Sequence, residues 1–269
     1  MMKFSVLMSV YYKEKPEFFR VALDSVANQT LKADEVVIIK DGTLTPELDR
    51  IVDEFTGKLP IKVVELEKNG GLGNALRIGV EMCSYAIIAR MDSDDICRPY
   101  RFEKQINFLN KHPEIDVVGC WISEFEGEPE NVYASRQLPC ENDDITVFAK
   151  KRNPFNHMTV MYRKQSVINA GNYTHHMYFE DYNLWARMIM NGARFANIPD
   201  ELVNVRAGIN MVSRRSGLKY ARNEYRLQKE FLDTGYIGYK EFIINILIRI
   251  PIRFMPSFVL KLIYRLLRK

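Results

Sequence analysis

The first 125 residues switch repeatedly between two hydrophobic periods. Residues 4–10 (FSVLMSV) form an apolar run rich in β-formers. Residues 18–28 change to helical spacing, with Phe19, Leu23 and Val26 as an apolar stripe. EVVII at 35–39 is again solidly apolar, as a strand covered on both faces should be. The pattern then predicts a helix over 46–55, a strand over 61–66, a turn at Asn69-Gly70-Gly71, a helix over 72–82 and a strand over 85–91. A polar loop at 92–98 leads to Pro99, placed to start a helix over 101–111, and 116–125 reads as a strand. Strands separated by helices of this length predict a parallel, doubly wound α/β sheet.

The second half is less regular. Residues 142–150 read as a helix, 157–163 as a strand, and 180–190 as a helix with Leu184, Trp185 and Met188 turned inward. Short strands at 194–198 and 202–206 precede a helix over 216–232. No repeat, low-complexity segment or linker interrupts the chain before residue 235. At 269 residues, 47% hydrophobic and 27% charged, the chain is large enough for a substantial core. That excludes a disulfide-dependent miniature scaffold and bulk disorder.

Charge changes the picture. From Tyr236 onward, Lys240, Arg249, Arg253, Lys261, Arg265, Arg268 and Lys269 face only Glu241, whereas residues 1–235 hold 31 basic against 33 acidic side chains. The net +4 therefore describes a nearly neutral body with a basic end. A nucleic-acid-binding role, which needs a basic face on the folded body, is disfavoured. Cys83, Cys97, Cys120 and Cys140 form no CxxC pair and fit no zinc spacing, so free thiols in a reducing, cytoplasmic compartment are the simplest account. The N-terminus reads as a buried strand rather than a signal peptide. No run of about 18 apolar residues is free of charge.

Ligands of doubly wound sheets bind outside the carboxyl ends of the strands. Tyr11 and Tyr12 follow the first strand, Asp41 the second and Asp92-Ser93-Asp94-Asp95 the fourth. In an extended segment Asp92 and Asp94 point the same way, and paired carboxylates of this kind suit a hard divalent cation. The alternative is that Asp94 or Asp95 caps the helix near Pro99. Asp41 fits either an Asx-type turn with Gly42 or a contact to a nucleobase or ribose. NGGLGNA at 69–75 lacks the spacing of a dinucleotide or Walker loop, yet its glycines would admit close backbone approach to a nucleotide. Glu180-Asp181 supplies either a catalytic base or charges that complement a helix N-terminus. His157 is as consistent with a packed side chain as with a functional one. Arg214, Arg215 and Lys219 fit phosphate contacts or a solvated helix start.

Together these segments resemble the family 2 glycosyltransferases, in the branch that builds bacterial capsule, exopolysaccharide and O-antigen repeats. The resemblance rests on FSVLMSVYYKE, DSVANQT, EVVIIKDG, NGGLGNALRIG, IIARMDSDDICRPYRFEKQ, NPFNHMTVMYRK, YFEDYNLWARMI and VRAGINMVSRRSG, in that order over about residues 3–222. It implies a GT-A fold, a Rossmann-like doubly wound mixed sheet, with a nucleotide-sugar donor and a divalent metal (Mn²⁺ or Mg²⁺). By that resemblance Tyr11 lines the base, Asp41 contacts it, and Asn69 and Gly71 lie by the nucleotide. Asp92 and Ser93 lie by the ribose and diphosphate, Asp94 with Asp92 holds the metal, and Asp95 supports them. Asp181 is the catalytic base, and Glu180 helps hold the acceptor.

Two departures stand out. Lys40 occupies a position where many relatives carry a first aspartate. VRAG at 205–208 lacks a histidine that some relatives use, which turns attention to Arg206, Arg214 and Arg215 for diphosphate neutralisation. The Q-x-x-R-W motif of processive synthases is absent after Asp181, so single-sugar transfer is expected.

Residues 1–235 are expected to form the catalytic domain, with 1–125 mainly binding the nucleotide-sugar and 126–235 mainly the acceptor and base. Residues 236–269 form a basic amphipathic helical tail. Asn245, Arg249 and Arg253 give one polar stripe, Lys261, Arg265 and Arg268 another, and Pro251 and Pro256 bend the chain between them. Such stripes suit an anionic membrane surface, here the inner face of the cell membrane, which also matches a polyprenyl-diphosphate-linked saccharide acceptor. Packing on the domain or on a second subunit, as in a homodimer, is the alternative. A catalytically inactive scaffold and a sugar-phosphate nucleotidyltransferase are the competing readings. The intact acidic pairs count against the first, and the absence of a Gly-rich loop after strand one against the second.

Overall fold

The computed structural model describes residues 2–206 and 216–255. β1 (Phe4–Val10), β2 (Glu35–Lys40), β3 (Ile61–Glu65) and β4 (Ile87–Met91) are parallel, with β1 between β2 and β4. The crossovers between them carry α1 (Pro16–Ala27), α2 (Pro46–Thr56) and α3 (Leu72–Met82). Adjacent strand residues point to opposite faces, and both faces are covered. Val6, Met8, Val36 and Ile38 pack with Phe19 and Leu23 of α1, Leu48 of α2, and Phe102 and Ile106 of α4 (Arg101–Lys111). Leu7, Val37 and Ile39 enter a second core with Leu76 and Val80 of α3 and Leu184, Trp185 and Met188 of α7 (Glu180–Met190). This double coverage is why the strands read as solid apolar runs.

Beyond β4 the sheet becomes mixed. β8 (Met161–Arg163) runs antiparallel to β4 and to β6 (Val117–Phe125), which pairs in parallel with β9 (Phe195–Arg206). The strand order is β3-β2-β1-β4-β8-β6-β9-β5, with β7 (Val132–Arg136) on β6. The expected 92–98 loop contains a two-residue strand, β5 (Ile96–Cys97), antiparallel to β9. The strand expected over 157–163 survives only as β8. Asn156 O accepts the amide (2.9 Å) and hydroxyl (2.8 Å) of Thr159, and the chain turns as a 3₁₀ helix over His157–Thr159. The two short strands expected after 194 are one irregular strand, β9. α5 (Asn142–Ala149) forms nearly as expected, whereas β7 and α6 (Lys164–Asn169) were not anticipated by periodicity.

α8 (Leu218–Asp233) and α9 (Tyr239–Ile252) pack together, and Pro251 lies in the last turn of α9. Asn245 is buried, donating to Lys150 O (2.9 Å) and Gln228 Oε1 (2.8 Å). Arg249 and Arg253 both pair with Glu224 of α8, which is fully buried. Of the two readings of this stripe, membrane contact or packing on the domain, the described residues take the second, because a buried carboxylate needs cations beside it. The Lys261, Arg265 and Arg268 stripe, Pro256, Arg214 and Arg215 lie outside the described residues.

Glu224→Ala should destabilise the protein by about 3 kcal/mol, because it strips two partly buried guanidinium groups of their carboxylate. A lower urea midpoint would report it, with a smaller fall for Glu224→Gln.

Candidate active site

Parallel register brings the carboxyl ends of β1, β2 and β4 to one edge, with Val10 opposite Lys40 and Met8 opposite Met91. The acidic turn after β4 folds back onto β9. β5 pairs with it, and the Arg206 amide donates to Asp95 Oδ1 at 2.9 Å. Asp92, Asp94 and Asp95 each offer an oxygen within 4.8 Å of the others. Burial, then the charges of Asp92 and Glu14, push the Asp94 carboxyl up to about 7. Burial and Asp94 raise buried Asp95 well above the carboxylate range. Three hard oxygen donors that resist sharing negative charge fit a divalent cation. Helix capping is not their role: the N-cap of α4 is Tyr100, with no side-chain cap.

Two neighbours complete this turn. Ser93 Oγ donates to Glu14 of the loop after β1. Arg90, buried at the end of β4, pairs with Asp92 through Nη2. Its Nε and Nη1 meet no protein acceptor among the described residues. The Arg206 guanidinium braces the turn through the Asp94 backbone, Nε donating to Asp94 O (3.4 Å), while it stacks on Phe18 (3.8 Å) and Phe125 (4.7 Å) and donates to Gly127 O (2.9 Å).

On the β2 side, Asp41 is nearly buried. Its two oxygens accept the amides of Gly70 (2.7 Å) and Gly71 (3.0 Å), and Asn69 Nδ2 donates to its carbonyl (3.2 Å). In this arrangement Asp41 braces the 69–71 loop against β2. Gly42, at φ 84°, permits the crossing, since a Cβ there would lie 2.8 Å from Asn69 N. Lys40 is tied to Asp49 (2.8 Å) and Glu65 (2.7 Å). Tyr11 and Tyr12 stand exposed beside this loop's sheet edge, ring edge to ring face at 5.9 Å.

The acidic pair opens α7. Gly73 lets α3 approach it closely, for a Cβ there would meet Thr174 O at 2.9 Å and Glu180 Cβ at 3.3 Å. The two side chains take different partners, as adjacent helical positions must. Burial, then the charge of Asp181, pushes the Glu180 carboxyl up to about 7, and Asp92 adds to the rise. Asp181 Oδ2 accepts from Asn153 Nδ2 (2.6 Å) and Oδ1 from the Tyr182 amide (2.7 Å). Burial raises its pKa, and these bonds oppose the rise. Asn153 is itself held, its Oδ1 accepting the Phe155 amide at 3.2 Å.

His157 Nε2 meets the Tyr173 hydroxyl at 2.9 Å, and burial holds its pKa well below the usual value, so it is a packed, neutral residue. Lys219 is exposed in the first turn of α8. Arg90, Glu14 and Asn153 drew no role from residue type alone. Arg90 carried a signal, since a cation inside an apolar strand demands a partner. Asn153, before a proline, reads as an ordinary turn residue.

Residues 5–171 match the family described as Glycosyl transferase family 2. The chain is 45% identical over 269 residues to the amylovoran biosynthesis glycosyltransferase AmsE of Erwinia amylovora, covering 99% of each chain. It is 40% identical over 255 residues to the Escherichia coli UDP-Gal:alpha-D-GlcNAc-diphosphoundecaprenol beta-1,3-galactosyltransferase, covering 95% of this chain and 92% of that one. Among solved structures, TarS 1-349 of S. aureus in complex with UDP-GlcNAc superposes with a TM-score of 0.68 at 21% identity, over 92% of this chain and 72% of that one. The mannosyltransferase PcManGT of Pyrobaculum calidifontis in complex with GDP-Man and Mn2+ gives 0.65 at 17%, over 91% and 68%. These two likenesses speak to the fold.

Saturating Mn²⁺ should raise the thermal unfolding midpoint by about 5 °C. Asp94→Asn should lose most of that shift, yet be at least as stable as the parent without metal, because it relieves carboxylate repulsion. Differential scanning fluorimetry reads both; an equal Mn²⁺ shift in the variant would move the ion elsewhere.

Proposed function

Because the chain belongs to glycosyl transferase family 2, we propose that it moves one sugar from a UDP-hexose or UDP-N-acetylhexosamine to a hydroxyl of a polyprenyl-diphosphate-linked saccharide. The reaction inverts the anomeric centre, is non-processive, and serves surface polysaccharide synthesis at the inner face of the cell membrane. The names of the exopolysaccharide and diphosphoundecaprenol relatives support donor class, acceptor class and setting. Among the described residues no helix is long and apolar enough to cross a membrane, which suits attachment at its surface. Residues 1–125 hold the donor and 126–235 the acceptor.

The observation that carries this reading is the electrostatic link between two carboxylate sets, the 92–95 turn and Glu180-Asp181. Glu180 feels the charge of Asp92, and the charge of Arg90 acts on Asp94, Asp95, Glu180 and Asp181. A donor diphosphate fits beside the first set and an acceptor hydroxyl beside the second. Tyr11 stacks on the base, Asp41 keeps the 69–71 loop against it, and Asp92 and Ser93 meet the ribose and diphosphate. Asp94 and Asp92, with Asp95 behind them, would hold a divalent ion, which when bound neutralises charge on the departing diphosphate. Arg214 and Arg215 contribute further positive charge to it.

In the transfer step, the acceptor oxygen bonds to the anomeric carbon as the bond to the diphosphate oxygen breaks. The hydroxyl proton passes to Asp181, and Glu180 holds the acceptor. Asn153 and the Tyr182 amide orient the base from both of its oxygens.

With UDP-galactose as first donor and a diphosphoundecaprenol-linked saccharide as acceptor, the new linkage should have the configuration opposite to the donor's, read by NMR; retention would overturn the single displacement. Asp181→Asn should lower kcat by about 10²–10⁴-fold while UDP binding is unchanged. The acid limb of kcat should lie above the ordinary carboxylate range, since burial raises Asp181 and only its ionised form accepts the proton. Asn153→Ala removes a bond that favours the ionised form, so its acid limb should move further up in pH. An unmoved limb would rule out orientation of the base by Asn153.

A further inference from the structure

α9 is amphipathic with its faces exchanged. A surface helix ordinarily buries its apolar side and wets its polar side. Here Asn245, Arg249 and Arg253 face the protein, while Ile243, Leu247, Ile248 and Phe254 are 53%, 68%, 58% and 57% exposed. No acidic residue follows Glu241, so none interrupts this apolar surface along the chain. Glu224 pairs with both arginines and offsets one of their two charges, and the sequence from Tyr236 still holds Lys240, Lys261, Arg265, Arg268 and Lys269 against Glu241 alone. An apolar face on a stretch of chain whose net charge is of one sign matches an anionic lipid surface. At 14 residues α9 is too short to span a bilayer and long enough to lie in its interface.

The inner face of α9 grips both segments that flank the catalytic pair. Asn245 donates to Lys150 O at 2.9 Å and Arg249 to Lys151 O at 2.8 Å. Two residues on is Asn153, which holds Asp181. On the other side, Arg253 stacks on Tyr220 (4.5 Å) and Tyr220 on Tyr178 (4.9 Å), two residues before Glu180. Tyr178 holds φ 75°, a strained conformation for a tyrosine, within that stack.

We propose that Ile243, Leu247, Ile248 and Phe254 enter an anionic bilayer, and that α9 thereby sets Asp181 at a fixed height above it. The seating stands on the helix alone; its use in catalysis rests on the lipid-linked acceptor proposed above. A base referenced to the bilayer meets an acceptor hydroxyl that is itself tethered there, which shortens the search for a productive geometry.

The full-length protein is sedimented with vesicles of phosphatidylglycerol and phosphatidylethanolamine, or of phosphatidylcholine alone. The parent should partition at least tenfold more strongly into the anionic vesicles. Leu247→Asp with Ile248→Asp should lose at least tenfold of that binding with an unchanged thermal midpoint. Leu247→Asn with Ile248→Asn serves as the second variant should the aspartates perturb α9. Transfer to a water-soluble acceptor should stay within twofold, while transfer to a lipid-linked acceptor in the same vesicles falls at least tenfold. Equal sedimentation of parent and variants overturns the seating, as does a parental dimer that the variants split. Equal loss on both acceptors overturns the height-setting role. Absence of parental transfer with intact vesicle binding would strike the proposed function and leave the seating standing.

Discussion

Five carboxylates lie within electrostatic reach of buried Arg90, which acts on both acidic sets. Asp92, Asp94 and Asp95 crowd within 4.8 Å, and Glu180 is near enough to Asp92 to feel its charge. Like charges at such separations in a partly dry site cost several kcal/mol unless offset. Arg90 supplies part of the offset, favouring the ionised forms of Asp94, Asp95, Glu180 and Asp181, and Arg136 adds to it at Asp181. The Arg90 backbone lies in β4, and Arg101 donates to its carbonyl at 2.6 Å. The offset is incomplete, for all four carboxyls stay raised. Burial is the largest cause of those rises, and a divalent cation at the turn would relieve the repulsion that Arg90 leaves.

The donor half was legible because its determinants are local. Solid apolar runs mark strands covered on both faces, and the functional residues sit one or two positions past their ends. Both facts follow from topology alone, so β1 to β4, α3 and the acidic turn could be placed before any coordinates. What escaped was pairing between distant residues. Asp41 read as a nucleobase ligand or a turn residue, and nothing local showed that its oxygens also accept the amides of Gly70 and Gly71, 29 and 30 positions away. Asn153 carries no signal of its partner, because its bond to Asp181 exists only once α7 brings the carboxylate within 2.6 Å. The 3₁₀ turn at His157–Thr159 also escaped, since a local side-chain bond from Thr159 outcompeted a β-branched, strand-like sequence.

The tail shows the same limit in another form. Periodicity reveals that a helix has a polar stripe, but not which way the stripe faces. That choice belonged to Glu224, 25 residues before Arg249 and fully buried in α8. A buried carboxylate without cations is far more costly than exposed isoleucines, so the arginines turn inward and the apolar side is left outward.

The two sides of the proposed site, one for the donor and one for the acceptor, are therefore held by different means. The donor edge is fixed by the backbone ladder of β1, β2 and β4, which tolerates little change without loss of the sheet. The acceptor edge is fixed by side chains on separate elements: Asn153 on Asp181, Tyr220 on Tyr178, and Arg249 and Arg253 on Glu224. Substitutions in α8 or α9 can shift the loops around Glu180 and Asp181 while the floor under the donor stays in register. A fold built this way could keep the proposed nucleotide-sugar site and refit the proposed acceptor side, because the interactions that position Asp181 are not the ones that hold the sheet together.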